Sequence, residues 1–138
     1  MNESCLFCRI AAEATRPFFV TENDRFVAMP ALHPINRGHL VLVPREHFPK
    51  AEALPADLAG ELLVQGAVLG RLLMDDLGYS GFTLALHEGA PGQPLPHTHV
   101  HLVPRHEGDD LDLQKPDAAD REELTELALR LRARRLAS

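Results

Sequence analysis

No run of basic residues stands before the C-terminal end of this chain. Lys and Arg number 14 against 20 Asp and Glu, a net charge of −6. A non-specific grip on duplex DNA or on an anionic membrane is therefore not expected as the main activity, and no nucleic-acid partner is expected. No apolar stretch approaches the roughly 20 residues that a bilayer-spanning helix needs. The opening Met1-Asn2-Glu3-Ser4-Cys5 shows no basic region leading into an apolar one, so the expectation is a cytoplasmic protein with no membrane partner. Two cysteines are too few for a disulfide scaffold, and Cys5-x-x-Cys8 points instead to metal or redox chemistry. Repeats and low-complexity segments are absent. What is present is an ordinary globular composition, 45% apolar and 25% charged over 138 residues. That length suits one domain, 1–138, with 112–138 as a linker and C-terminal helix.

Phe18–Thr21 and Phe26–Met29 flank Asn23-Asp24 and read as a β-hairpin. His39–Val43 is a short apolar strand ended by Pro44. From Pro55 to Leu77 the leucines recur near a 3.6 spacing, with Pro55 suited to the first helical position and Gly78 to the stop. Gly66 and Gly70 lie one turn apart, a stripe for close packing on the sheet or on a partner subunit. Phe82–His87 and Pro96–Pro104 read as two more strands around a turn-forming loop at 88–94. Residues 120–136 form a terminal helix, acidic early and basic late, as the helix dipole favours. The fold class is α+β: an antiparallel sheet of about five strands, one main helix and a C-terminal helix.

His97-Thr98-His99-Val100-His101 is the most informative segment. Residues i, i+2 and i+4 of a strand share one face, so three imidazoles line one side and Thr98, Val100 and Leu102 point to a core. Three readings fit this spacing. One is a histidine-rich surface strand. The second is a metal site, and the third is catalysis by a side chain suited to nucleophile, acid and base roles. Gly89 and Gly92 in the preceding loop can leave backbone N–H groups open to a phosphate.

His97–Val103, preceded by Gly92-Gln93 and followed by Pro104-Arg105, resembles the signature of the histidine triad (HIT) superfamily. Gly38-His39 with its following strand, and Cys5-Leu6-Phe7-Cys8, resemble the upstream elements of its zinc-bearing bacterial-type members. These relate to the nucleoside phosphoramidase and diadenosine polyphosphate hydrolase branches. The resemblance runs in order from Cys5 to Arg105 and implies a HIT-like fold. It also implies a nucleotide substrate, cleaved at the α-phosphate of a phosphoanhydride or phosphoramidate bond through a covalent nucleotidyl-histidine. On it, His99 is the nucleophile, His101 binds the phosphate and assists the leaving group, and His39 stands at the edge of the site. Gly92 and Gln93 form part of the phosphate loop. Cys5, Cys8, His47 and His97 match the ligands of a structural Zn2+. Most members of the superfamily are homodimers, and the Gly66/Gly70 stripe offers a surface for one.

Several positions depart from the pattern. Ala31 stands where Asp or Asn usually holds the ribose hydroxyls, a charge-assisted contact worth roughly 1.5–3 kcal/mol. His87 replaces an amide before a loop about one residue short, and an imidazole there can act as an added acid or phosphate contact. Pro94 replaces a Ser or Thr near the leaving group, and Thr98 an apolar residue. Three hypotheses follow: a nucleotide hydrolase or nucleotidyl transferase, a nucleotide-binding or sensing module with vestigial catalysis, and a purely structural zinc protein.

Overall fold

Alternation along two central strands divides the interior between two faces of one sheet. In β2 (Phe26–Pro30) and β3 (Leu40–Pro44), Phe26, Ala28, Leu40 and Leu42 enter one core, while Val27, Met29, Val41 and Val43 enter another. Such strands are buried on both sides and read as continuous apolar runs. The computed structural model describes residues 4–13, 18–89, 96–109 and 118–137. Gly92 and Gln93, expected to form a phosphate loop, and also Pro94, lie outside them.

The elements run α1 (Leu6–Ala11), β1 (Thr21–Glu22), β2, β3, a 3-10 turn at Ala51–Ala53, α2 (Ala56–Leu77), β4 (Gly81–Leu86), β5 (Val100–Arg105) and α3 (Arg121–Ala137). The sheet is antiparallel throughout, in the order β1-β2-β3-β5-β4. This is the expected α+β class with five strands. The larger core lies between the sheet and α2, where Leu58, Leu62, Leu69 and Leu73 meet Leu42 and Leu102. The opposite face carries α1, with Phe7 and Ile10 packed on the second core.

Two strand starts differ from expectation by more than one residue. The first hairpin strand was expected over Phe18–Thr21, but β1 is Thr21–Glu22, because only Thr21 and Glu22 lie in register with β2. The last was expected from Pro96, but β5 starts at Val100. Thr98 N–H donates to Phe48 O at 2.7 Å instead of joining a strand ladder, so His97 and His99 precede the ladder. In α2, Pro55 occupies the N-cap rather than the first helical position, and Gly78 closes the helix at φ 78°. No described helix is long and apolar enough to cross a membrane.

Gly66 and Gly70 face inward. A Cβ on Gly66 would lie 2.8 Å from a Leu84 methyl, and one on Gly70 would lie 2.5 Å from the Phe82 ring. Of the two uses expected for this stripe, packing on the sheet is the one realised, so it offers no surface to a partner. Gly70→Ala is expected to destabilise by about 1–2 kcal/mol although alanine is the better helix former. Gly66→Ala, which meets only movable methyl tips, should cost less. Urea unfolding of both variants checks this, and the reverse order would contradict it.

Candidate active site and metal centre

Cys5 caps the N-terminus of α1, its Sγ accepting from Cys8 N–H at 3.4 Å. Cys8 lies one turn on, fully buried. His97 Nδ1 stands 3.4 Å from each sulfur, and His47 Nδ1 lies 3.1 Å from Cys8 Sγ and 3.2 Å from His97 Nδ1. All four ligand atoms fall within 4.8 Å of one another. His97 Nε2 sits 2.8 Å from Pro44 O. A carbonyl only accepts, so this contact assigns the proton to Nε2 and leaves the Nδ1 lone pair facing the sulfurs. Two thiols and two imidazoles at these separations fit a closed tetrahedral zinc set, whose bonds are about 2.0–2.3 Å.

Four of the remaining imidazoles gather on the α1 face of the sheet. His39 precedes β3, His99 and His101 alternate into and along β5, and His87 follows β4. The His101 ring has three imidazole neighbours, with centroids at 5.1 Å for His39, 5.1 Å for His87 and 4.9 Å for His99. His39 follows Gly38, whose φ of 97° suits glycine.

Hydrogen-bond partners assign the tautomers. His99 Nδ1 lies 2.7 Å from His97 O, so Nδ1 carries the proton and Nε2 keeps a free lone pair. Ile35 N–H donates to His39 Nδ1 at 3.1 Å, which places the His39 proton on Nε2. That Nε2–H donates to His101 Nδ1 at 2.9 Å, leaving the His101 proton on Nε2. The result is one imidazole ready to attack beside one ready to donate.

Burial lowers the pKa of His39, His97 and His99, and burial together with three neighbouring imidazoles pushes His101 down to about 4. Rings kept neutral in the fold but protonated at their ordinary 6.5 when unfolded favour unfolding in acid. For His101 this penalty is absent above pH 6.5 and grows as pH falls toward about 4. The thermal midpoint is therefore expected to drop over that interval, and less steeply in His101→Asn. Parallel pH profiles for wild type and variant would contradict the assignment.

Beside His99 and His101 opens a cavity of about 870 Å3. Leu6, Phe7, Ile10 and Phe18 wall one side, and Met29, Ala31, His33, His39 and Val41 contribute to the rest. Phe7 packs edge-on against the His99 ring at 4.8 Å and the His97 ring at 5.8 Å. This volume suits a small-molecule ligand with a flat apolar part, bounded at one end by imidazoles. Ala31 puts only a methyl group on the wall.

His39, His87, His99 and His101 thus converge, as do Cys5, Cys8, His47 and His97. His97 differs from the other two in joining the metal cluster, its ring tied to Pro44 O, while Phe7 of α1 lies against both His97 and His99. Thr98 points to the core as expected, and among the described residues its buried Oγ1 has no partner. Sequence reasoning missed Phe7 as a wall against the triad and Ile35 N–H as the group that sets the His39 tautomer. It also missed Asp109, which holds Arg105 through two contacts of 2.7 and 2.8 Å. Asp109 further accepts from Asn36 Nδ2 at 3.2 Å, bracing the turn that presents His39. The Arg105 guanidinium keeps the Asp109 carboxyl well below its ordinary range.

Known proteins resemble this chain in sequence and fold. The HIT domain family matches residues 13–108. An uncharacterised HIT-like protein of Methanocaldococcus jannaschii is 31% identical over 108 residues, covering 76% of this chain and 81% of that protein. An adenylylsulfatase of Arabidopsis thaliana is 27% identical over 110 residues, 79% of this chain but 56% of its own length. The crystal structure of a zinc-bound histidine triad family protein from Mycobacterium smegmatis superposes with a TM-score of 0.71 at 28% identity, covering 90% of this chain and 89% of that one. With the fold, the triad and the family match in agreement, this chain belongs to the HIT family.

Proposed function

We propose that this chain is a nucleotide hydrolase or nucleotidyl transferase that opens a phosphoanhydride or phosphoramidate bond at the α-phosphate through a covalent nucleotidyl-His99. The observation that carries this is the tautomer pair, a free Nε2 lone pair on His99 beside a donor Nε2–H on His101. The nucleoside occupies the cavity between α1 and β3, which brings the α-phosphorus to His99. His99 Nε2 forms a bond to phosphorus while the bond to the leaving group breaks. His101 Nε2–H, held in place by His39, donates a hydrogen bond to the charge building on an oxygen leaving group, and an amine leaving group takes its proton from solvent. Water then cleaves the Nε2–P bond, a proton passes to solvent, and His99 regains its starting tautomer. The adenylylsulfatase activity named for the Arabidopsis relative belongs to this reaction class.

Cys5, Cys8, His47 and His97 would hold one zinc ion, whose contribution is structural because the four ligands close the site. Turnover of adenosine phosphoramidate and diadenosine tetraphosphate by the wild-type protein tests the enzyme reading. Hydrolysis of either supports it. Nucleotide binding without hydrolysis favours a binding module instead, a reading that rests on the bare methyl of Ala31 in the cavity wall.

A homodimer is part of the proposal, through a different face from the glycine stripe. Val64, Val68 and Leu72 of α2, at four-residue spacing, are 59%, 55% and 53% exposed. Leu63 lies beside them. Such a stripe is self-complementary across a two-fold axis. Sedimentation equilibrium should give twice the chain mass of 15.3 kDa, and Val68→Glu should return it to the monomer. A wild-type monomer across the micromolar range would contradict this.

A further inference from the structure

His87 has no part in the mechanism above, and its position gives it one. It follows β4, the edge strand beside β5, whose register pairs Ala85 with His101 and Leu86 with Val100. The His87 ring stands 5.1 Å from the His101 ring. The cavity is lined from α1, β2, β3 and its approach, with His99 and His101 at one end, and His87 is not among its walls. The nucleoside cavity and His87 therefore flank His101 on either side along the same face of the sheet, the cavity toward β3 and His87 toward β4. Neighbouring Glu88 is committed elsewhere, its Oε1 accepting from Ala51 N–H at 2.7 Å. Among the described residues, neither His87 nitrogen has a hydrogen-bond partner, so both are open to a ligand from solvent.

We infer that His87 binds the leaving group and selects anionic oxo groups, sulfate or phosphate, over amines. This rests on the hydrolase reading. With phosphorus at His99 and the nucleoside toward β3, the remaining substituent extends toward β4. A departing sulfate or phosphate presents a charged oxygen there. An imidazole can donate an N–H to that oxygen in either protonation state, and a charge-assisted hydrogen bond is roughly twice as strong as a neutral one. A departing amine offers no such acceptor. In the selected reaction the His99 Nε2–P bond forms as the P–O bond breaks, and the electron pair leaves with the oxygen. No proton is needed for that departure, in keeping with a His101 that donates a hydrogen bond rather than a proton.

The test compares kcat/KM for adenosine 5′-phosphosulfate and adenosine phosphoramidate in wild type, His87→Ala and His87→Lys. His87 is exposed, so the variants should fold, which circular dichroism checks. In His87→Ala the phosphosulfate-to-phosphoramidate ratio is expected to fall about 10-fold or more, and His87→Lys, which keeps a donor, should recover part of it. An unchanged ratio in His87→Ala would overturn this inference and leave the hydrolase reading standing. Wild-type protein inactive on both substrates would overturn both.

Discussion

His99→Ala is expected to lower kcat on any nucleotide substrate by on the order of 10^4-fold, while nucleotide affinity changes little. The two effects separate because His99 makes the bond to phosphorus, whereas the cavity side chains hold the nucleoside. Losing a nucleophile closes the covalent route altogether, and losses of that order are typical when one member of a catalytic set is removed. His101→Ala and His39→Ala should fall short of it. His101 contributes a hydrogen bond to developing charge, worth about 10^2–10^3-fold in comparable sites. His39 acts through His101, so its loss frees the tautomer without removing the donor. Steady-state kinetics with all three variants checks the order. A His99→Ala protein no worse than His39→Ala would show that the ring with the free Nε2 is not the attacking group.

Removing the metal is expected to lower the thermal midpoint by about 10 °C or more and to weaken nucleotide binding more than it slows the chemical step. Helix α1 has 6 residues, too few to persist by itself. It is held from one end by Cys5 and Cys8, which converge with His47 and His97. The same helix supplies Leu6, Phe7 and Ile10 to the cavity wall. Without metal, three buried ligands and the half-buried His47 lose their common partner and the wall loses its anchor. A cost of only about 3 kcal/mol, small beside what structural zinc sites supply, moves the midpoint by about 10 °C in a domain of this size. Calorimetry with and without a chelator, and KM measured on the same samples, check both parts. Cys8→Ala should reproduce the chelated state. Purified protein holding well under one metal per chain, or a midpoint insensitive to chelation, would contradict the assignment.

The parts of the fold legible in the sequence are those where one periodicity governs a whole segment. Leucine spacing and Gly78 marked α2 within a residue, and the apolar runs at Phe26 and Leu40 marked strands buried on both faces. The terminal helix was placed within a residue at each end from its charge order, and it makes no buried contact. The stretch His97–His99 could not be read the same way. Its alternation is that of a strand, but Phe48 O and Pro44 O, both distant in sequence, take up Thr98 N–H and His97 Nε2–H. The metal set and triad were legible through family resemblance, because Cys5 and His97 are far apart in the chain. Ile35 N–H on His39, and Asp109 behind Asn36, carried no signal at all. They are contacts made by a turn and a carboxylate that only the folded chain brings together. Gly66 and Gly70 show the remaining gap, since spacing announced a close approach but not to which surface.

The most direct test is to quench wild-type protein during turnover of an adenylyl substrate and map any covalent modification by peptide mass spectrometry. One adenylyl group on His99 Nε2, absent from His99→Ala and unaffected in position by His87→Ala, is the predicted result. Turnover without any adduct on His99, or an adduct on His101 instead, would contradict the account.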